Sequence, residues 1–378
     1  KEAYEAANPN VTIEMVDLGS TDYMTVLATE LSGSGSDFDV VTIKDVPGYA
    51  TLVQKNTLES LDDYITDAGI NLADFNGITD QVTVDGSLYE LPFRSDYWLI
   101  YYNKDVFDAA GIAYPSNDMT MEDYDALARQ LTDTTYGSQV YGCHYHTWRS
   151  AVELFGILDG KHSILDGNYD WMIPYYDMIL SEEDDGVCQT YTDLSTEGLH
   201  YSAAFSNGNV AMMNMGSWFI STLISNLDSG EYDSSLCGNW GIASYPHPDG
   251  AEAGSTIATI TGLAVTSASA NKDAAFDFVN WVSGTEGAKV MASTGNFPAI
   301  MTDDVINTIA GMAGFPTDEG SKEALNITNA YLEVPYAENV SEINSILDTY
   351  HTSIMNREVT VEEGVASMNE QVGKILNQ

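Results

Sequence analysis

Apolar positions along this chain recur in two rhythms, one of period two and one of helical spacing, and they alternate through its first third. Residues 12–18 read as a strand, 24–31 as a helix, and 39–43, with Val40, Val41 and Ile43, as a buried strand. The run Ser32-Gly33-Ser34-Gly35-Ser36 between that helix and strand reads as a turn. Residues 82–92 predict a hairpin in which two apolar runs flank Asp85-Gly86, residues that tolerate the positive φ of a tight turn. An aromatic strand follows at 97–102, then a helix capped by Asn103 and stopped by Gly111. Thr120 and Asp123 bracket the next helix start as a capping-box pair. From about 115 to 250 the pattern is mostly helical and holds most of the tryptophan. A β-rich stretch at 257–266 leads into a helix with Ala275, Phe278, Val279 and Val282 on one face. The last helix opens on a second capping box, Thr360 and Glu363, and predicts Val365, Met368, Val372 and Leu376 as buried. The fold class is therefore α/β, and no single linker divides it.

Composition narrows what such a fold does. The 378 residues are enough for two lobes with separate cores, and 44% hydrophobic content is that of a folded chain. Thirteen Lys and Arg stand against 57 Asp and Glu, a net charge of −44. Such a surface repels phosphate backbones, which excludes nucleic acid as a partner, and it favours a neutral polar ligand over an anionic one. Most of the acidity serves solubility. Cys143, Cys188 and Cys237 lie about 45 to 50 residues apart, a spacing of no zinc ribbon or CxxC motif; one disulfide stays open. No apolar run reaches the roughly 18 residues of a transmembrane helix.

The motifs of catalysis are missing: no GxxxxGK[ST], HExxH, GxSxG or GxGxxG occurs. Nothing calls for a cofactor, and no enzyme activity is expected. Cys143-His144-Tyr145-His146 is the best metal candidate by residue type, but on one strand Cys143 points away from both histidines, so a cleft or packing role is preferred. What rises above background is aromatic residues beside hydrogen-bonding ones in three segments: Arg94 to Trp98, His144 to Arg149, and Asn214 to Trp218. Sugar rings present apolar C–H faces that stack on Trp and Tyr, and hydroxyl rims that bond to Asp, Asn and Arg. Singly, each tryptophan is more often packing than site.

Four short motifs in order join these segments. The first is Val84-Asp85-Gly86-Ser87-Leu88-Tyr89-Glu90-Leu91-Pro92 with Leu99-Ile100-Tyr101-Tyr102-Asn103-Lys104-Asp105. Ala110-Gly111, Pro115 and Met119 to Asp123 follow, then Phe205-Ser206-Asn207-Gly208-Asn209-Val210-Ala211-Met212 running to Gly216-Ser217-Trp218. Gly262 to Thr266, Asn271 to Phe278 and Gly295-Asn296-Phe297-Pro298-Ala299 complete the set. On these motifs the chain resembles family 1 extracellular solute-binding proteins of ABC importers, the group that includes maltose-binding protein.

The resemblance implies a two-lobe periplasmic-binding-protein-like fold of class II type with a ligand cleft between lobes. Mapped onto this chain, the first lobe is 1–107 with 258–299 and the second 108–257 with 300–378. The family pattern places a strand and most of a helix ahead of the segment that starts at Lys1, so the first lobe is expected without its first strand. Implied ligand-binding residues are Asp45, Arg94 and Asp96 on one side, and His144, Tyr145, His146, Trp148, Arg149, Tyr201 and Trp218 on the other, with Thr261 near the hinge. The family's further stacking tryptophan has no counterpart at Glu342-Ile343-Asn344, which leaves the sugar open. The implied function is capture of an oligosaccharide by lobe closure and delivery to the permease subunits of an ABC importer. The protein would be a monomer outside the cytoplasm, in the periplasm or held on a Gram-positive surface by a lipid anchor outside this chain. Rival readings are a polyamine- or metal-binding protein on the same scaffold, a glycoside hydrolase, and a sensor or adhesion module without transport.

Overall fold

A computed structural model describes residues 1–19, 22–33, 38–75, 77–133, 135 and 139–377. Its strands are β1 Val40–Ile43, β2 Leu91–Asn103, β3 Tyr141–His144, β4 Val210–Gly216, β5 Trp240–Ser244, β6 Thr256–Val265 and β7 Ala330–Leu332. The chain divides into two compact units. The first comprises Lys1–Asp96, Thr259–Ile309 and Val334–Ser341, and the second Tyr97–Ala258, Ala310–Glu333 and Glu342–Gln378. The divisions pass through the middle of β2 and of β6, where the sequence carries no Gly/Pro punctuation; the expected bounds of 107 and 299 lie elsewhere.

In the first unit, β1 pairs antiparallel with the end of β6, Ile43 opposite Gly262. The predicted turn at Asp85-Gly86 is present: both residues have positive φ, 51° and 86°, and Val84 and Ser87 exchange backbone hydrogen bonds of 2.9 Å. That geometry is the primed turn whose twist suits a two-residue connection. Tyr49, Leu52, Leu61, Phe75, Ile78 and Val279 fill the core. Residues 12–18 do not form the expected strand. Among the described residues no backbone pairs with their apolar alternation, and Met15 and Val16 stand 74% and 59% exposed. Alternation makes a strand only where a second strand takes up the N–H and C=O groups. Residues 34–36 of the expected turn lie outside the described residues.

The second unit is built on β4, buried along its whole length. β2 from Trp98 to Tyr102 lies antiparallel on one side of it and β3 parallel on the other, while β5 pairs antiparallel with the far edge of β2. The first residues of β6 pair with β7. Side chains define the helix ends where the sequence placed them. Asn103 accepts from the Asp105 N–H, and Gly111 closes that helix at φ 68°. Thr120 with Asp123, and Thr360 with Glu363, form reciprocal capping boxes. In the last helix Ile375 is buried and Leu376 is exposed, one position off the expected stripe. No described helix is long and apolar enough to cross a membrane.

Candidate functional site

The second unit gathers its aromatics from four separate stretches of sequence. Trp98 comes from β2, Trp148 from the loop after β3, Tyr201 from the first position of helix Tyr201–Ser206, and Trp218 from the first position of helix Trp218–Ser229. Trp98 is buried and forms the floor, its ring 5.5 Å from Trp218 and 6.4 Å from Trp148, edge to face in both cases. Trp148 and Trp218 are 6.3 Å apart, and Tyr201 lies 5.6 Å from Trp148. Edge-to-face contacts favour the rings beyond the area they bury, by about 0.5–1.5 kcal/mol a pair. The walls are thus fixed. Trp148 is 39% exposed and presents an indole surface to solvent.

Local sequence explains each placement. Gly216 ends β4, and a Cβ there would lie 2.0 Å from the Trp218 ring, so only glycine lets that ring fold back over the strand. The Trp218 Nε1–H donates to the Tyr201 hydroxyl at 3.1 Å, which fixes both side chains. His146 packs edge-on against Trp148 at 4.6 Å and lies 5.4 Å from Tyr201. Burial and the neighbouring His200 lower its pKa to about 4, so the imidazole is neutral at physiological pH and offers one donor and one acceptor. The floor also holds an unanswered donor: Trp98 Nε1 is buried with no hydrogen-bond partner.

Not every expected residue joins this patch. Arg149 is buried, its Nε donating to Glu153 at 2.5 Å, one Nη to Asn344 Oδ1 at 2.7 Å and the other to Asp348. It ties the Trp148 loop to helix Val340–Met355 and so positions the tryptophan from behind. Asn344 belongs to the stretch where the family tryptophan is absent. Tyr145 turns inward onto Tyr124 and Phe155, and His144 is buried beside His146 and Gln189, its pKa lowered to about 3 mainly by burial. In the loop between β3 and the next helix Tyr145 and Arg149 are buried while Trp148 is exposed, a spacing that follows no strand alternation, so the pattern alone did not tell inward from outward. Trp98 and His200 were missed. Trp98 closed the aromatic segment Arg94 to Trp98, but nothing set it apart from Tyr97 beside it as a site residue, and His200, which accepts from the Ser202 N–H as a helix cap, gave no signal.

The first unit carries the other candidates. Arg94 and Asp96 pair through two contacts, Nε to Oδ2 at 2.6 Å and Nη2 to Oδ1 at 3.2 Å. Asp96 is buried and Arg94 half-buried. Asp45 is exposed and caps helix Val46–Gln54 by accepting from the Gly48 N–H at 2.7 Å. Thr261 is half-buried on β6. Glu90 is fully buried, neither oxygen finding a partner, and burial together with the nearby Asp45 raises its pKa to about 8.

Residues 1–289, more than three quarters of the chain's length, match bacterial extracellular solute-binding proteins. The chain belongs to that family. This solute-binding protein is 48% identical to a sugar transporter from Rhizobium etli solved in an open conformation, with TM-score 0.90 over 98% of this chain and 94% of that one. It shares its fold, at 22% identity and TM-score 0.82, with an ABC substrate-binding protein from Listeria monocytogenes in complex with cycloalternan, covering 100% and 94%. Among sequence relatives it is 23% identical to a mannitol-binding protein of Pseudomonas aeruginosa over 76% of this chain and 66% of that protein. A lactose-binding protein of Rhizobium radiobacter is 25% identical over 74% of this chain and 65% of that protein. The chain thus spans about two thirds of these two curated relatives. Family membership places the solute-binding protein outside the cytoplasm.

Proposed function

We propose that this solute-binding protein captures a neutral carbohydrate on the aromatic patch of its second unit and delivers it, chemically unchanged, to an importer permease. The observation that carries this reading is the partly exposed Trp148 indole, walled by Trp218 and Tyr201 and floored by Trp98. A sugar ring has apolar C–H faces that such a surface accepts, while His146 and the Tyr201 hydroxyl offer polar contacts at its rim. The net charge of −44 is indifferent to a neutral ligand and unfavourable to an anionic one. Relatives named for sugars and a sugar alcohol support the same class. Asp96 with Arg94, Asp45 and Thr261 belong to this reading as hydroxyl-binding groups supplied by the first unit. So do a monomeric state, a permease pair as partner and a lipid anchor on a segment outside this sequence.

The test is calorimetric titration of oligosaccharides and sugar alcohols into the wild type, Trp148→Ala, Trp218→Ala and Asp96→Ala. Loss of the indole surface at Trp148 is expected to weaken binding by about tenfold or more, some 1.4 kcal/mol. Undiminished affinity in both tryptophan variants removes the patch from the site. Spermidine titrated in parallel separates the cationic-amine alternative, and absence of released reducing sugar separates capture from hydrolysis.

A further inference from the structure

Behind the aromatic patch the second unit holds a cluster that sugar binding does not use. Cys143 of β3, Glu182 of helix Ile173–Asp184 and Cys188 are all buried, and one ligand atom from each lies within 4.8 Å of the other two. The chain reverses to bring them together. The Val187 N–H donates to Glu182 O at 2.8 Å and the Gly186 N–H to Glu183 O at 3.1 Å, with Gly186 at φ 70°. This reversal folds Cys188 back beside Glu182, and the Cys143 N–H donates to Val187 O to lock the turn against β3. Neither oxygen of Glu182 has a hydrogen-bond partner, and the hydroxyls of Tyr145 and Tyr124 beside the cluster are buried without one too.

We propose that Cys143, Glu182 and Cys188 form a buried site for a zinc-like divalent cation. Two thiolates and a carboxylate are ligands that zinc accepts, and a tetrahedral ion with Zn–S near 2.3 Å sets ligand atoms about 3.5–3.8 Å apart. The cluster needs to contract by no more than about 1 Å to reach that geometry. The Tyr145 hydroxyl lies near both Cys143 and Glu182. Two thiolates and one carboxylate exceed a dication by one negative charge, and the Arg129 guanidinium lies close enough to favour the charged forms of both Glu182 and Cys188. A disulfide between Cys143 and Cys188 would satisfy the sulfurs and leave Glu182 orphaned; a cation answers all three groups at once. The site is closed to solvent, so the ion enters as the unit folds and displaces the ligand protons.

The full chain is unfolded with chelator and reductant, then refolded with or without zinc chloride. Bound zinc, melting temperature and, with cobalt(II), the thiolate-to-metal absorption band are measured. The expected result is a single ion per chain, a higher melting temperature and a band that reports two sulfur ligands. Cys143→Ser, Cys188→Ser and Glu182→Gln should each bind at least about tenfold more weakly, while Cys237→Ser binds as the wild type does. The cobalt band is read on the unaltered protein, so the proposal stays exposed even if a variant misfolds. Refolded protein without zinc, zinc retained undiminished in both cysteine variants, or a single titratable thiol with a Cys143–Cys188 disulfide peptide overturns it. None of these readouts depends on sugar binding.

Discussion

Glu90 is a carboxyl buried in the first unit with no hydrogen bond to either oxygen, and it ought to make the protein less stable as the solution becomes more alkaline. Its pKa stands at about 8 against an ordinary 4.5, raised first by burial and then by Asp45. Between those two values the folded chain keeps a proton that the unfolded chain has released. The stabilisation from this group is therefore fully present below the unfolded value and is lost as pH rises through the folded one. One pKa unit is worth about 1.4 kcal/mol, so between roughly pH 6 and roughly pH 8 the loss from Glu90 alone approaches about 2 kcal/mol. Glu90→Gln keeps the shape and cannot ionise. Urea unfolding of both proteins, ligand-free and at fixed ionic strength, should give a variant whose stability declines less over that interval by this amount. Repulsion within a chain of net charge −44, and the raised carboxyls Glu182 and Glu333, act on both proteins and cancel in the difference. Parallel pH profiles, or a variant that loses stability more steeply than the wild type, would refute the reasoning.

Three other expectations follow from particular contacts. Gly262→Ala should destabilise the first unit, because its Cβ would come within 2.0 Å of the Glu90 carboxyl; a melting temperature equal to that of the wild type contradicts this. Arg149→Met leaves Glu153 buried without its charge partner and should cost about 3–5 kcal/mol in chemical denaturation. Thr360→Ala removes one half of a capping box and should cost about 1 kcal/mol, read as a lower urea midpoint, with sugar affinity unchanged.

What the sequence disclosed depended on how far apart the interacting groups lie. The caps at Asn103, Thr120 and Thr360 and the turn at Asp85-Gly86 join a side chain or φ preference to backbone within three residues, and each is where the pattern placed it. Residues 12–18 show the opposite case: their alternation was real, but a strand is a property of two segments, and no described segment pairs with this one. The aromatic patch draws on Trp98, Trp148, Tyr201 and Trp218, and no periodicity links positions so distant. A family motif named only Trp218; Trp148 stood in an aromatic segment between motifs, and Tyr201 was placed by its position alone. Trp98 stayed hidden because its neighbours Tyr97, Tyr101 and Tyr102 are equally aromatic and equally buried. Arg149 was open to two roles, and only Asn344 and Asp348, about 200 residues later, decide between them.

The stitched layout of the first unit bears on how this polypeptide matures. β1 emerges early from the ribosome, yet its partner residues Gly262 to Val265 follow more than two hundred positions later, and Val334–Ser341 later still. Until then Val41 and Ile43 have no sheet to join. Contacts so remote in sequence make for slow acquisition of structure and leave a long interval in which the nascent chain stays threadable. A protein bound for the far side of a membrane through a narrow export channel is well served by such a delay.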